Sequence, residues 1–393
     1  VNPPRLVWRR RALALLAVAS ILSSADLAVP VSTLFLLSRG LDFTEVFTLE
    51  TVLVVSLLLC DLPTGWLADR TSDRAVLVAG HAVAALAAVG WALSHGFVAF
   101  ALTTVLSGLS IALVSGADRS YLTSVLDEGA EQQLTGVLGH FGALAALSAA
   151  GAGAVGGLLA AHALAWPAAV AAAAEIGAAL VVLGLPAAHR ADPADSTGQR
   201  PSLSQVARLV ARTPVLALSA LQPWILVGAA YYLNQPRWQA TGIDVRWFGA
   251  ILALAQVAGA LCSHLADAVA RRLSPRLLVS GSLAASAVGF MLMTLPHPFP
   301  GGAGFVLVLA SGALRAPVTG SLTALAAPVV VRATTLSMVS TCASLIGAVV
   351  NPLVGLMAQS DVVLACWAVA AALMGFAVAW AVLGPRGVGA DQP

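Results

Sequence analysis

The sequence predicts an all-α membrane protein with twelve transmembrane helices in two six-helix bundles. Three observations predict it. Hydrophobic residues make up 59% of the chain and charged residues only 10%, against ~45–50% and ~25% in soluble domains, and the mean hydropathy is +0.91. Twelve apolar stretches separated by short polar breaks approach the about 20 residues needed to cross a ~30 Å hydrocarbon core. The two halves of the chain also repeat one another at offsets of 198 to 204 residues.

In chain order the helices are expected over 12–37, 44–68, 75–94, 97–118, 134–161, 164–186, 214–235, 246–266, 276–295, 303–325, 335–358 and 362–383. Arginine sets their direction, because basic residues accumulate in cytoplasmic loops and the chain has no lysine. An N-terminus inside puts 16 arginines on the cytoplasmic side and only Arg39, Arg237 and Arg246 outside, with Arg315 within a span. Both termini are therefore expected in the cytoplasm. The net charge of +2 is a topology signal, and no basic face is large enough to track nucleic-acid phosphates. Arg9, Arg10 and Arg11 precede a stretch of membrane length, so helix 1 reads as an anchor rather than a cleaved signal, whose apolar region is shorter. Cys60, Cys262, Cys342 and Cys366 all fall in apolar spans without metal-ligand spacing, and no metal or cofactor is expected.

The repeat is carried by particular residues. Leu67-Ala68-Asp69 returns as Leu265-Ala266-Asp267, Ser107-Gly108 as Ser311-Gly312, and Gly184-Leu185-Pro186 is echoed by Leu383-Gly384-Pro385. Ala152-Gly153-x-x-Gly156 in helix 5 lines up with Asn351-Pro352-x-x-Gly355 in helix 11. The stretch 187–201, rich in Asp, Pro, Ser, Gly and Arg, cannot bury enough apolar surface to fold alone. The expected organisation is a first bundle over 1–186, a cytoplasmic linker over 187–210 and a second bundle over 211–393. Two six-helix halves related by an axis along the membrane normal are the architecture of the major facilitator superfamily.

The ten residues Gly65 to Arg74 strengthen that resemblance. They are expected as a charged loop between helices 2 and 3, and they are similar to the superfamily's G-x-L-A-D-R-x-G-R-R motif. Gly65, Leu67, Ala68, Asp69, Arg70 and Arg74 match, whereas Ser72 and Asp73 replace a glycine and a basic residue. The resemblance implies a major facilitator fold, no enzymatic activity, and a conformational gate of Gly65, Asp69, Arg70 and Arg74, with Asp267 in a weaker second copy. Physically, Gly65 permits close helix approach, and Asp69 can sit near a helix N-terminus and pair with arginine. A plain positive-inside turn would need the arginines but neither Asp69 nor Gly65. Helix 5 resembles the glycine-rich run of drug and proton antiporters, with Gly153 where they carry proline. In helix 4, Thr104 stands where many such exporters have arginine.

Ionisable groups at mid-membrane cost ~2.5–3.5 kcal/mol even on the lenient translocon scale. Asp26 in helix 1, Glu175 in helix 6 and Arg315 in helix 10 are such groups. The family places helices 1, 4, 7 and 10 around the central path, which implies that Asp26 and Arg315 face it, where opposite charges attract strongly. Asp26 and Glu175 are the proton-coupling candidates, since withdrawing a nearby positive charge favours protonation of a carboxylate. A static ion pair that fixes helix packing is the plainer reading. Arg315 could instead grip an anionic solute with its planar fork of donors.

Helix 7 adds the solute-binding candidates Gln222, Tyr231, Tyr232, Asn234 and Gln235, aromatic faces with amide donors that suit amphipathic solutes. An interfacial aromatic belt is the alternative for Tyr231, Tyr232 and Trp238. His81, His140 and His264 read as packed polar residues, Asp61 with Pro63 as helix-end structure, and Glu50 as a residue able to reach water.

With the resemblance, the leading expectation is a monomeric secondary transporter in the lipid of a bacterial cytoplasmic membrane, exporting a small organic molecule by proton antiport. The arginine-only, alanine-rich composition suits a high-GC bacterium. Uptake by symport or uniport is the alternative within transport, and a non-transporting receptor or assembly factor the alternative outside it. No cluster of acid, base and nucleophile suggests an enzyme.

Overall fold

The computed structural model describes residues 3–126, 130–186, 203–221, 224–328 and 331–385. These residues are helical throughout, and no strand occurs among them. The chain forms two units, one of residues 1–41 with 52–196, the other of 42–51 with 197–393.

The first unit begins with α1 (Pro3–Ser23), a 3-10 turn (Val29–Val31) and α2 (Ser32–Ser38), and continues through α3 (Phe43–Arg70), α4 (Asp73–Leu93), α5 (Gly96–Val125), α6 (Ala130–Ala160) and α7 (Ala165–Leu183). The opening turns of α3, residues 42–51, group with the second unit. Within the first unit α4 packs along α5 and α7, and α1 lies against α6 and α7. Ser148 of α6 donates to the Ile21 carbonyl at 2.6 Å.

Helix 1 departs from the continuous span expected over 12–37. It stops at Ser23 and resumes only at Val29. Two residues explain the break: Pro30 has no N–H to donate, and the Asp26 carboxylate accepts the Ala28 amide at 3.0 Å, a local bond that competes with the helix ladder.

The second unit holds α8 (Leu203–Arg212), α9 (Pro214–Ala220), α10 (Trp224–Ala240), a 3-10 turn (Val245–Trp247), α11 (Phe248–Ala270), α12 (Pro275–Met293), α13 (Pro298–Ala326), α14 (Arg332–Ser360) and α15 (Val362–Leu383). Here α13 packs between α11 and α12, and α12 along α15. Of helix 7, expected over 214–235, α9 ends at Ala220 and α10 begins at Trp224, with residues 222–223 outside the described residues. Part of the expected linker is also ordered: α8 is an amphipathic helix whose Val206 and Val210 are buried, Val210 in a cluster with Leu216, Ala220 and Val339.

Ten helices among the described residues are long and apolar enough to cross a membrane, against twelve expected. The two expected spans absent from that set are helix 1, which is interrupted, and helix 7, which includes residues outside the described ones.

The ten-residue loop expected at 65–74 is mostly helix. Leu, Ala and Arg are good helix formers, so α3 continues through Arg70, α4 begins at Asp73, and only Thr71 and Ser72 lie between them.

The internal repeat is written in helix caps. Ser72 caps the N-terminus of α4 by accepting the Ala75 amide at 3.2 Å, and Ser274 caps α12 by accepting that of Leu277 at 3.3 Å. Arg74 Nη2 donates to the Leu183 carbonyl at the end of α7 at 2.9 Å, and Arg276 Nε donates to the Gly384 carbonyl just past the end of α15 at 2.7 Å. Arg39 reaches the Ala92 carbonyl in the last turn of α4, and Arg237 reaches those of Met293 and Thr294 at the end of α12. Cations at helix C-termini satisfy orphan carbonyls and oppose the negative end of the dipole.

Candidate functional site

The break in helix 1 gathers the polar groups of the first unit. Asp26 sits in the break, exposed, with its carboxylate fixed by the Ala28 amide. One turn earlier, Ser23 Oγ donates to Glu175 Oε2 on α7 at 3.2 Å and lies 3.4 Å from His81 Nδ1 on α4. Asp26 follows Ser23 by three residues, in the break itself. One hydroxyl thus joins an imidazole and a carboxylate from two other helices, with Asp26 three residues further along the chain.

Gly156 on α6 makes this arrangement possible. An added Cβ there would lie 2.9 Å from the Leu27 carbonyl carbon and 3.2 Å from its Cα, inside the ~3.5–4.0 Å of normal carbon contact. The helix 5 glycine that resembles the antiporter run therefore lets α6 close directly onto the broken backbone beside Asp26. Among the residues of that run, Gly153 and Gly157 are also buried.

A cavity of about 440 Å³ adjoins the cluster within the first unit. It is lined by Ser20, Ser23, Ser24, His81, Ser115 and Asp118, with Leu16, Val114 and Phe141 among its apolar walls.

In the second unit Tyr232 Oη donates to Glu50 Oε2 at 2.7 Å, an ordinary O–H···O hydrogen-bond distance. Tyr231 packs edge-on against Phe305, with ring centroids 5.5 Å apart. Asn234 and Gln235 are both buried; Asn234 Oδ1 has no hydrogen-bond partner among the described residues. Trp238 departs from the interfacial belt considered for it: it is only 1% exposed and packs against Phe248 and Phe305. Gln222 lies outside the described residues.

Arg315 belongs to a buried polar stripe on α13, Ser311, Arg315, Thr319 and Thr323, one residue in every four. Ser311 bonds Ser286 on α12 and Thr323 bonds Ser219 on α9, each at 2.8 Å. Thr319 Oγ1 donates to the Arg315 carbonyl. Arg315 is 5% exposed, and its Nη1 has no hydrogen-bond partner among the described residues. A buried guanidinium with one nitrogen left without a partner among the described residues is costly to keep.

Of the gate residues, Gly65, Asp69 and Arg70 occupy the last turns of α3, and their side chains lie outside the described residues. Arg74 is turned to the end of α7. Asp267 pairs with Arg271 in its own helix at 2.7 Å, with both side chains exposed, a bond worth at most about 1 kcal/mol. Sequence reasoning passed over Asp73, which stands where the motif has a basic residue. It is buried and accepts from Ser120 Oγ at 2.8 Å, tying α4 to α5. The sequence does not single out Ser23, and reads His81 only as a packed polar residue and Glu50 as one able to reach water. Their partners lie 152, 58 and 182 residues away, and a single sequence carries no signal of such pairings.

Comparison with known proteins agrees with this architecture. The family model described as Major Facilitator Superfamily matches residues 13–352. No curated protein matches the chain. Among solved structures the chain is similar to the nucleoside transporter NupG at 15% identity, covering 96% of this chain and 98% of that one with a TM-score of 0.76. It is also similar to a bacterial homolog of the human lysosomal transporter Spinster, at 17% identity, covering 98% and 95% with a TM-score of 0.71. A POT family transporter matches at 11% identity, covering 96% of each chain with a TM-score of 0.71. At these identities the likeness is one of fold.

Proposed function

The chain belongs to the major facilitator superfamily of transporters, and from that premise we propose that it exports a small organic solute by proton antiport through alternating access. The observation that carries the proton coupling is the Ser23, His81 and Glu175 cluster beside Asp26. A carboxylate bonded to a hydroxyl that an imidazole also reaches, with a second acid three residues along the chain from that hydroxyl, forms a site able to take up and hold a proton. Broken helices are where transporters of several folds hold coupling ions and solute, and helix 1 has that form here. The solute is bound in the second half by Arg315, Tyr231, Tyr232, Asn234, Gln235 and Gln222. Gly65, Asp69, Arg70, Arg74 and Asp267 form the gate, and the transporter works as a monomer in the cytoplasmic membrane with both termini inside.

Uptake is the second reading. Gly156 favours it, because contact with Leu27 accounts for that glycine without reference to direction, and so does Thr104 in place of arginine.

The test uses everted membrane vesicles energised to an acidic interior and given cationic, neutral and anionic organic solutes in turn. Export by antiport predicts alkalinisation of the lumen by one class. Silence across the panel, in vesicles holding folded protein, removes the antiport reading. Asp69→Asn tests the gate: the reading expects cysteine accessibility to shift between the two membrane faces, and an unchanged pattern removes Asp69 from it.

A further inference from the structure

We infer that the first unit contains its own water-filled proton route, running from the bundle end that carries the Thr71–Ser72 turn to Glu175, with His81 and Ser23 as its last two steps. The inference rests on the proton-coupling reading and adds the path by which the proton arrives. Its basis is the cavity of about 440 Å³ and what its wall connects.

Four serine hydroxyls, His81 and Asp118 line the cavity, enough donors and acceptors for water to bond in a site otherwise walled by hydrocarbon. At ~30 Å³ per liquid water, a space of this size holds on the order of ten to fifteen molecules. Asp118 marks the end nearer the α3–α4 turn. Its neighbours Ser120 and Tyr121 are tied to Asp73 and to the Pro186 carbonyl at that end of the bundle, each at 2.8 Å. His81 and Ser23 mark the other end, and beyond the wall Ser23 donates to Glu175.

The titratable groups facing this path come from each surrounding element. α4 supplies His81 and α5 supplies Asp118, itself engaged in a polar contact, while α7 supplies Glu175 at the end of the path and the helix 1 break holds Asp26 three residues beyond Ser23. The α6 lining, Phe141, Gly142 and Ala145, is uncharged.

Proton transfer along the last steps balances. With His81 protonated on Nδ1, a hydronium in the cavity gives its proton to the second ring nitrogen. The Nδ1 proton passes to Ser23 Oγ, and the original Ser23 hydroxyl proton passes to Glu175 Oε2. Water is left in the cavity, Glu175 is neutralised, Ser23 keeps its hydroxyl, and His81 is left as the other neutral tautomer.

Two readouts that need no solute test the route. In a background with the four cysteines replaced by serine, Ser115→Cys lines the cavity, while Val105→Cys is an exposed position on the same helix. A charged, membrane-impermeant methanethiosulfonate should modify Ser115→Cys at least tenfold faster, and equal slow labelling would show a dry cavity and overturn the route. In the second readout, infrared difference spectra after a jump to acid pH follow the protonated carboxyl band lost in Glu175→Gln. That band should grow at least tenfold slower in Ser23→Ala and recover its rate in Ser23→Thr; an unchanged rate in Ser23→Ala overturns the relay. Solute-driven proton movement in vesicles with a dry cavity would sink the route and leave proton coupling standing. Rapid labelling and a slowed Glu175 band with no solute-driven proton movement would do the reverse.

Discussion

Two glycines five residues apart on α6 should respond to the same substitution with opposite sign. Gly156→Ala puts a methyl group 2.9 Å from the Leu27 carbonyl carbon, against backbone that has no rotamer to change. α6 and the helix 1 break must separate by roughly 0.6–1 Å to restore normal contact. Overpacking of this kind costs ~1–3 kcal/mol. Gly151→Ala meets nothing within 4 Å, and replacing a glycine within a helix by alanine gains ~0.5–1 kcal/mol. For a unit of 150–250 residues each kcal/mol moves Tm by ~2–4 °C, so Gly156→Ala should melt roughly 2–12 °C lower and Gly151→Ala roughly 1–4 °C higher. Intrinsic fluorescence of the nine tryptophans during heating of the purified protein reads both. Because Asp26 sits one residue before Leu27, Gly156→Ala should also impair proton-driven flux, while Gly151→Ala should not. Equal shifts of the same sign would refute the claim that Gly156 is required by the backbone of helix 1.

Three further outcomes follow from other contacts. Arg74→Gln and Arg276→Gln each remove a C-terminal cap and should cost up to ~2 kcal/mol, and the double variant should lose their sum within ~0.5 kcal/mol; strong non-additivity in chemical unfolding would contradict two independent caps. Arg315→Met removes a buried guanidinium and should raise stability by ~1–4 kcal/mol while abolishing transport of the solute. A lower Tm would instead make Arg315 a structural residue. Asp244 is held down from its ordinary 3.8 to about 2, first by the hydrogen bond from the Arg246 side chain. Its support of the Val245–Trp247 turn is therefore full above about pH 3.8 and lost as pH falls through about 2. Amide exchange at Arg246 and Trp247, corrected for intrinsic rates, should lose protection across that window in the native chain and show no such step in Asp244→Asn.

Much of the fold is legible in the chain because apolar length is a local property. The repeat is legible too, and the paired arginine caps, Arg74 with Arg276 and Arg39 with Arg237, give it a physical basis that matched letters alone did not. The break in helix 1 is half legible: Asp26 followed four residues later by Pro30 is a helix-stop pattern, but the apolar run around it masks the interruption. Asp26, Glu175 and Arg315 stand out as charges in apolar surroundings. Ser23 and His81 do not, since serine and histidine are common in such spans and their value comes only from which way three helices are rotated. The motif at 65–74 reads as a loop because its residues are charged, yet charged residues finish helices as readily as they form loops.

The central claim is that the carboxylates beside the helix 1 break couple protons to solute movement. The measurement that tests it most directly compares gradient-driven accumulation with solute counterflow in proteoliposomes bearing Asp26→Asn or Glu175→Gln, using the solute found by the vesicle panel. The account predicts that accumulation against a gradient falls to background in at least one variant, while counterflow, which needs no net proton transfer, stays near the native rate. Full accumulation in both variants would contradict it.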